Sequence, residues 1–195
     1  FPESIFDDSD SSSTVLDRYP FLSRLPMYLR ARKGVGYLPQ KNSVFGKLSV
    51  KQNMMLILEV MGMTRQEREK KSKNLLEELG INHLADQRAG VLSGGEMRRL
   101  EISRALATNP AFILLDEPFA GVDPLAVTDI RNIIFHLKNR NIGILISDHS
   151  VRETLGACDN AYILEDGKMI EYGTPEKIAS SPTARKAYLG EDFRL

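Results

Sequence analysis

Two adjacent carboxylates, Asp116 and Glu117, close the apolar run Phe112-Ile113-Leu114-Leu115 and are followed at once by Pro118. Carboxylates side by side at the mouth of a buried strand suit a division of labour. The first holds a Mg²⁺ ion, directly or through water, and the second orients and deprotonates an attacking water. The same residues also describe an ordinary acidic turn, since solvated carboxylates are common on surfaces. His149 follows a second apolar run, ending in Ser147-Asp148, in the corresponding place. There its ring could donate a hydrogen bond to a phosphate oxygen, although a lone histidine is more often structural than catalytic. Upstream, Ser93-Gly94-Gly95-Glu96 opens a helical pattern that carries Arg98, Arg99 and Arg104. Bare backbone N–H groups at a helix start suit the approach of a phosphate, and a plain serine N-cap accounts for the same residues. Gln40, just after Val35-Gly36-Tyr37-Leu38-Pro39, offers an amide oxygen to a metal or a water. His83, in a polar loop, and His136, between apolar positions of a helix, receive no role.

Chemistry of this kind needs strands that end together and helices that space them. The runs Phe112-Ile113-Leu114-Leu115, Ile144-Leu145-Ile146 and Ala161-Tyr162-Ile163-Leu164 alternate with helical patterns. One of these starts near Pro124 and carries Ile130, Ile133, Ile134 and Leu137; another covers residues 151–157. Such alternation predicts an α/β fold with a parallel sheet covered on both faces, in which ligands bind at the carboxyl ends of the strands. Ser49 predicts a helix through Met54, Leu56, Ile57 and Val60 that ends at Gly62, and Thr64 with Glu67 forms a capping box for a charged helix that stops at Gly80. Residues 49–92 therefore read as a helical lobe, 93–175 as the sheet core and 175–195 as C-terminal helices. Residues 1–24, rich in Asp and Ser with no sustained period, read as an irregular segment.

Composition narrows the classes further. The 195 residues hold 26 Lys+Arg and 26 Asp+Glu. A formal net charge of zero argues against a dedicated nucleic-acid binder, which needs surplus cations to displace counterions from phosphates. Cys158 is the single cysteine, so no intrachain disulfide can form and a reducing compartment is expected. No apolar run approaches the roughly 18 residues of a membrane span, which leaves only a peripheral membrane role.

In order along the chain, Gln40, Leu92-Ser93-Gly94-Gly95-Glu96, Phe112-Ile113-Leu114-Leu115-Asp116-Glu117-Pro118, Gly121-Val122-Asp123-Pro124 and Asp148-His149 resemble the ATP-binding-cassette ATPases. There these are the Q-loop, the signature motif, the Walker B strand with its catalytic glutamate, the D-loop and the switch histidine. The resemblance, which covers residues 25–195, implies a P-loop NTPase-like core and ATP with Mg²⁺ as cofactors. It gives Gln40 and Asp116 to Mg²⁺, Glu117 to general base and His149 to the γ-phosphate. Ser93, Gly94 and Gly95, with Glu96 behind them, would grip a nucleotide bound mainly by a second ATPase subunit, with Asp123 at the seam of that head-to-tail dimer. Residues 37–50 would form the groove that receives a helix of a membrane-spanning transporter subunit, placing the chain on the cytoplasmic face of the inner membrane. Met54, Met55, Leu56, Leu58, Met61 and Met63 either help line that groove or are core. Within the family, Glu117-Pro118-Phe119-Ala120-Gly121 and the ending Tyr188-Leu189-Gly190-Glu191-Asp192-Phe193-Arg194-Leu195 are most similar to the lipopolysaccharide-export ATPases. Branched-chain amino-acid importer ATPases share the first of these stretches.

One family element is missing. No Gly-x-x-x-x-Gly-Lys-Ser/Thr occurs, and Lys33-Gly34 and Gly46-Lys47 lack its spacing. The chain opens on Phe1 in place of Met, so the expectation is an N-terminally truncated cassette whose phosphate loop lies upstream, with little activity in these residues alone. The alternative is a degenerate module that lends Ser93 to a neighbour's nucleotide. Chromosome-maintenance ATPases insert a long coiled coil where only 52 residues separate Gln40 from Ser93 here.

Overall fold

In the computed structural model, which describes residues 22–121, 124–190 and 193, three helices begin at residues whose side chains can cap them. They are α2 (Val50–Glu59) after Ser49, α3 (Arg65–Glu78) after Thr64 and α4 (Gly94–Leu106) after Ser93. At each start the cap oxygen accepts the N–H three residues on, and Gln52, Glu67 or Glu96 accepts the cap's own N–H. This reciprocal box satisfies two donors that a helix start leaves without partners. A short helix α1 (Met27–Arg32) precedes the first strand, β1 (Val35–Leu38). The irregular segment expected over residues 1–24 falls almost wholly outside the described residues.

The chain divides into two compact units, Phe1–Leu115 with Leu137–Leu145, and Asp116–His136 with Ile146–Leu195. In the first, α2, α3 and α4 pack on one another and α4 packs on β1. Val50, Met54 and Leu58 recur at the i, i+4, i+8 spacing of one helix face and are fully buried, with Leu76 of α3 and Leu100 of α4 beside them in the core. Met54 is thus core, while Leu56 and Met61 are exposed.

Strand β2 (Phe112–Asp116) lies between β1 and β3 (Gly143–Ser147) in a three-stranded sheet. β1 and β2 are parallel, with Val35 opposite Phe112 and Leu38 opposite Leu115. The Gly143 N–H donates to the Ala111 carbonyl (3.0 Å) and the Glu117 N–H to the Ser147 carbonyl (2.7 Å). β3 therefore runs the same way, and its carboxyl end meets that of β2.

Helix α5 (Pro124–Asn139) starts in the second unit and its last residues count with the first, and within the second unit α6 (Val151–Leu155) precedes a hairpin of β4 (Ala161–Glu165) and β5 (Lys168–Gly173). The third apolar run does not join a parallel sheet: β4 pairs antiparallel with β5, Glu165 opposite Lys168. The reason lies in Asp166-Gly167, whose φ values of 48° and 76° suit a two-residue turn with both centres left-handed. Leu155 packs with Ile178 of α7 (Pro175–Ser180) and Ala184 of α8 (Pro182–Ala184), and with Val151, Cys158 and Phe193 around them.

Gly143 starts β3 where there is no room for a side chain. An added Cβ would lie 2.4 Å from Cδ2 of Phe112. Gly143→Ala is expected to lower the unfolding free energy by about 1–3 kcal/mol in a urea titration, and Phe112→Leu in the same chain to recover part of the loss.

Candidate functional site

Parallel pairing of β2 and β3 carries Glu117 and His149, each just past a strand end, to the same edge. His149 Nδ1 lies 3.6 Å from Glu117 Oε2, with the imidazole largely exposed and the carboxylate about two-thirds buried. Glu117 adopts φ 44°, a left-handed conformation that costs a non-glycine residue about 1–2 kcal/mol. It is held there by the 2.7 Å bond to the Ser147 carbonyl. Such a turn aims the side chain at a fixed point, which a group acting on a water must have.

Asp148 was in view in the sequence without a role, because an acidic residue at a strand end reads as solvated. The structure buries its carboxylate completely. Oδ2 accepts the Phe119 N–H at 2.8 Å and Oδ1 the Ser150 N–H at 2.7 Å. One buried carboxylate thus ties the turn after Glu117 to the turn that carries His149, and sets the geometry of the pair.

The Ser93 group belongs to the first unit. Ser93 is the N-cap of α4, its hydroxyl and its N–H both donating to Glu96 Oε2 at 2.8 Å. These bonds hold the Glu96 carboxyl below its ordinary pKa, the backbone bond contributing most. Gly94 and Gly95 follow as the first residues of the helix, and a Cβ placed on Gly94 meets nothing within 4 Å. Nothing in the chain's own packing therefore requires glycine at 94. Its effect is to leave the helix start open to something outside the chain.

Gln40 is exposed two residues beyond Leu38 of β1, and Asp116 is the last residue of β2. Asp123 lies outside the described residues. Among the described residues no three His, Cys, Asp or Glu side chains converge to hold a metal. Gln40 belongs to the first unit and Asp116 to the second; each carries a hard oxygen of the kind that Mg²⁺ takes.

Ser93→Ala should cost about 1 kcal/mol of stability at neutral pH through the lost cap. Because the folded pKa of Glu96 is lowered, its contribution is present above the unfolded value near 4.3 and lost as pH falls through the folded value. The gap between the two proteins in urea should therefore narrow from pH 7 to pH 3. Asp148→Asn keeps one acceptor and faces an amide NH₂ toward the other donor. It should cost about 1–3 kcal/mol and speed amide exchange at Phe119 or Ser150.

Residues 9–120 match the family model described as ABC transporter. The lipopolysaccharide export system ATP-binding protein LptB of Haemophilus influenzae is 53% identical over 175 residues, 89% of this chain and 73% of that protein. Its counterpart from Escherichia coli strain K12 gives the same identity and coverage. Among solved structures, the ADP conformation of MJ1267, an ATP-binding cassette of an ABC transporter, aligns with a TM-score of 0.72 at 31% identity, covering 84% of this chain and 71% of that one. The structure of cbiO1 from Clostridium perfringens, part of the transporter complex cbiONQ, has the same TM-score at 30% identity, over 77% of this chain and 61% of that one. The ordered strand-end carboxylates, His149, the Ser-Gly-Gly helix start and these matches establish together that the chain belongs to the ABC transporter family, as an ATPase cassette of the P-loop NTPase fold.

Proposed function

We propose that this chain is the ATP-hydrolysing part of a transporter that exports lipopolysaccharide from the inner membrane. The observation that carries the catalytic half is the Glu117–His149 pair, 3.6 Å apart on turns braced by Asp148. Glu117 takes the proton of a water as it attacks the γ-phosphorus. His149 donates to a γ-phosphate oxygen, and its contact with Glu117 keeps the water's two neighbours in register. Gln40 and Asp116 would each offer an oxygen to Mg²⁺, which when bound would neutralise charge on the phosphate oxygens.

Ser93, Gly94 and Gly95 present the N-terminus of α4 to the nucleotide of a second cassette in a head-to-tail dimer, with Asp123 at the seam. The cargo follows the 53% identity to LptB. Tyr37 and Phe45, large side chains about half exposed, offer apolar surface on residues 37–50 to a helix of the membrane-spanning subunit. Among the described residues no helix is long and apolar enough to cross a membrane, and a peripheral place on the cytoplasmic face follows from that docking.

The test uses the protein purified from its host with its membrane subunits. Mg²⁺-dependent ATP hydrolysis is expected, with Glu117→Gln lowering kcat by about 10²–10⁴-fold while ATP still binds. Gly94→Ala is expected to leave Tm unchanged or higher and still to suppress hydrolysis. Hydrolysis that persists in Glu117→Gln would remove the catalytic assignment. Binding without hydrolysis in the unaltered protein would overturn the proposal.

A further inference from the structure

The segment that follows Gln40 is held by α4 at a single residue. Ser43 has three backbone or side-chain polar groups, and α4 binds all of them. Glu101 Oε1 accepts the Ser43 N–H at 2.9 Å and its hydroxyl at 3.3 Å. Arg104 donates to the Ser43 carbonyl at 2.6 Å. The Arg104 guanidinium carbon also lies 5.5 Å from the centre of the Phe45 ring, within cation–π range. Glu101 is buried, and its second oxygen takes Arg98 at 3.0 Å. On the far side of the segment, the buried Asn53 of α2 accepts the Phe45 N–H at 3.0 Å and donates to the Phe45 carbonyl at 3.1 Å.

A buried ion pair is a poor way to gain stability, since well-packed apolar groups of the same volume often serve as well. What such a pair supplies is direction: charge-assisted bonds are short and geometrically strict. Here they join three things on one rigid helix. These are the loop that leaves Gln40, the half-exposed Phe45, and α4, whose first residues carry Ser93 and Gly94.

We propose that Glu101 and Arg104 are positioning residues that lock residues 40–45 to α4, so that displacement of the Gln40 loop or of Phe45 moves the Ser93 helix start with it. The inference rests on the ATPase reading above and names the side chains that couple its parts. Networks of this type carry coupling because a packed helix and a bonded loop cannot shift independently. Neither residue touches nucleotide in this scheme. Their loss therefore changes how often a bound nucleotide meets an aligned site, and leaves its affinity largely intact.

The experiment compares the unaltered protein in complex with its membrane subunits with Glu101→Gln and with Arg104→Lys, which keeps the charge and loses the planar fork. Amide exchange at Ser43 and Phe45 is expected to rise at least tenfold in Glu101→Gln. ATP turnover should fall at least tenfold in kcat, with KM for ATP within twofold, and Arg104→Lys should fall between the two proteins. A merely structural role would leave kcat unchanged at temperatures where the variant is folded. Faster exchange at Ser43 with unchanged kcat overturns the positioning role, and unchanged exchange at Ser43 overturns the clamp itself. If Glu101→Gln does not fold, Arg104→Lys gives the same two readings. Absence of hydrolysis by the unaltered protein overturns the ATPase reading and the positioning role together, while exchange at Ser43 still decides the clamp.

Discussion

The backbone hydrogen bond from Glu117 to the Ser147 carbonyl joins two parallel strands at the point where both stop. A carboxylate and an imidazole drawn from residues more than 30 positions apart in the chain have no local reason to meet. Parallel pairing supplies it, because neighbouring strands that run the same way end on the same edge, and residues just past those ends emerge side by side. Glu117 accepts a strained left-handed backbone to remain in that bond, and Asp148 fastens the two turns from beneath. Cost and brace together are what separate a fixed carboxylate–imidazole pair from side chains that happen to be near.

The other half of the chemistry depends on a different device. At Ser93 the helix start is closed on its own side by Glu96 and left open on the other, with nothing within reach of a Cβ at Gly94. The capping and phosphate-reading interpretations of Ser93 are therefore compatible. The hydroxyl and N–H of Ser93 both engage Glu96 in the isolated chain, which fixes the orientation of the first turn. An incoming anion then finds N–H groups already aimed outward, so less ordering entropy opposes its binding.

Between these lies a stretch whose role was invisible in the one-dimensional pattern. Glu101 and Ser103 are polar residues of α4, yet both are buried. Charged residues carry no periodicity that distinguishes a solvated face from one that holds a loop. Only the return of residues 39–45 against α4 makes the difference, and that contact spans about 60 positions of sequence. The same blindness affected the methionine-rich helix. Its hydrophobic residues looked interchangeable, and packing assigned Met54 and Leu58 to the core while leaving Leu56 and Met61 outside.

Local chemistry alone determined a good deal of this protein. Capping boxes at Ser49, Thr64 and Ser93 each depend on residues three apart, and the Asp166-Gly167 turn depends on two. Apolar runs marked the strands, but burial on both faces did not follow from them: Leu145 of β3 and Leu164 of β4 are exposed, and of the three runs only that of β2 has buried positions. The ordered set from Gln40 to His149 was legible because each member sits at a strand end or a helix start that its neighbours define. Tertiary structure decided what those neighbours could not. It buried Asp148 and Glu101 as braces. It also set His149 against Glu117. Each of these outcomes depends on hydrogen-bond partners distant in sequence, and a side chain carries no local mark of the partner that will satisfy it.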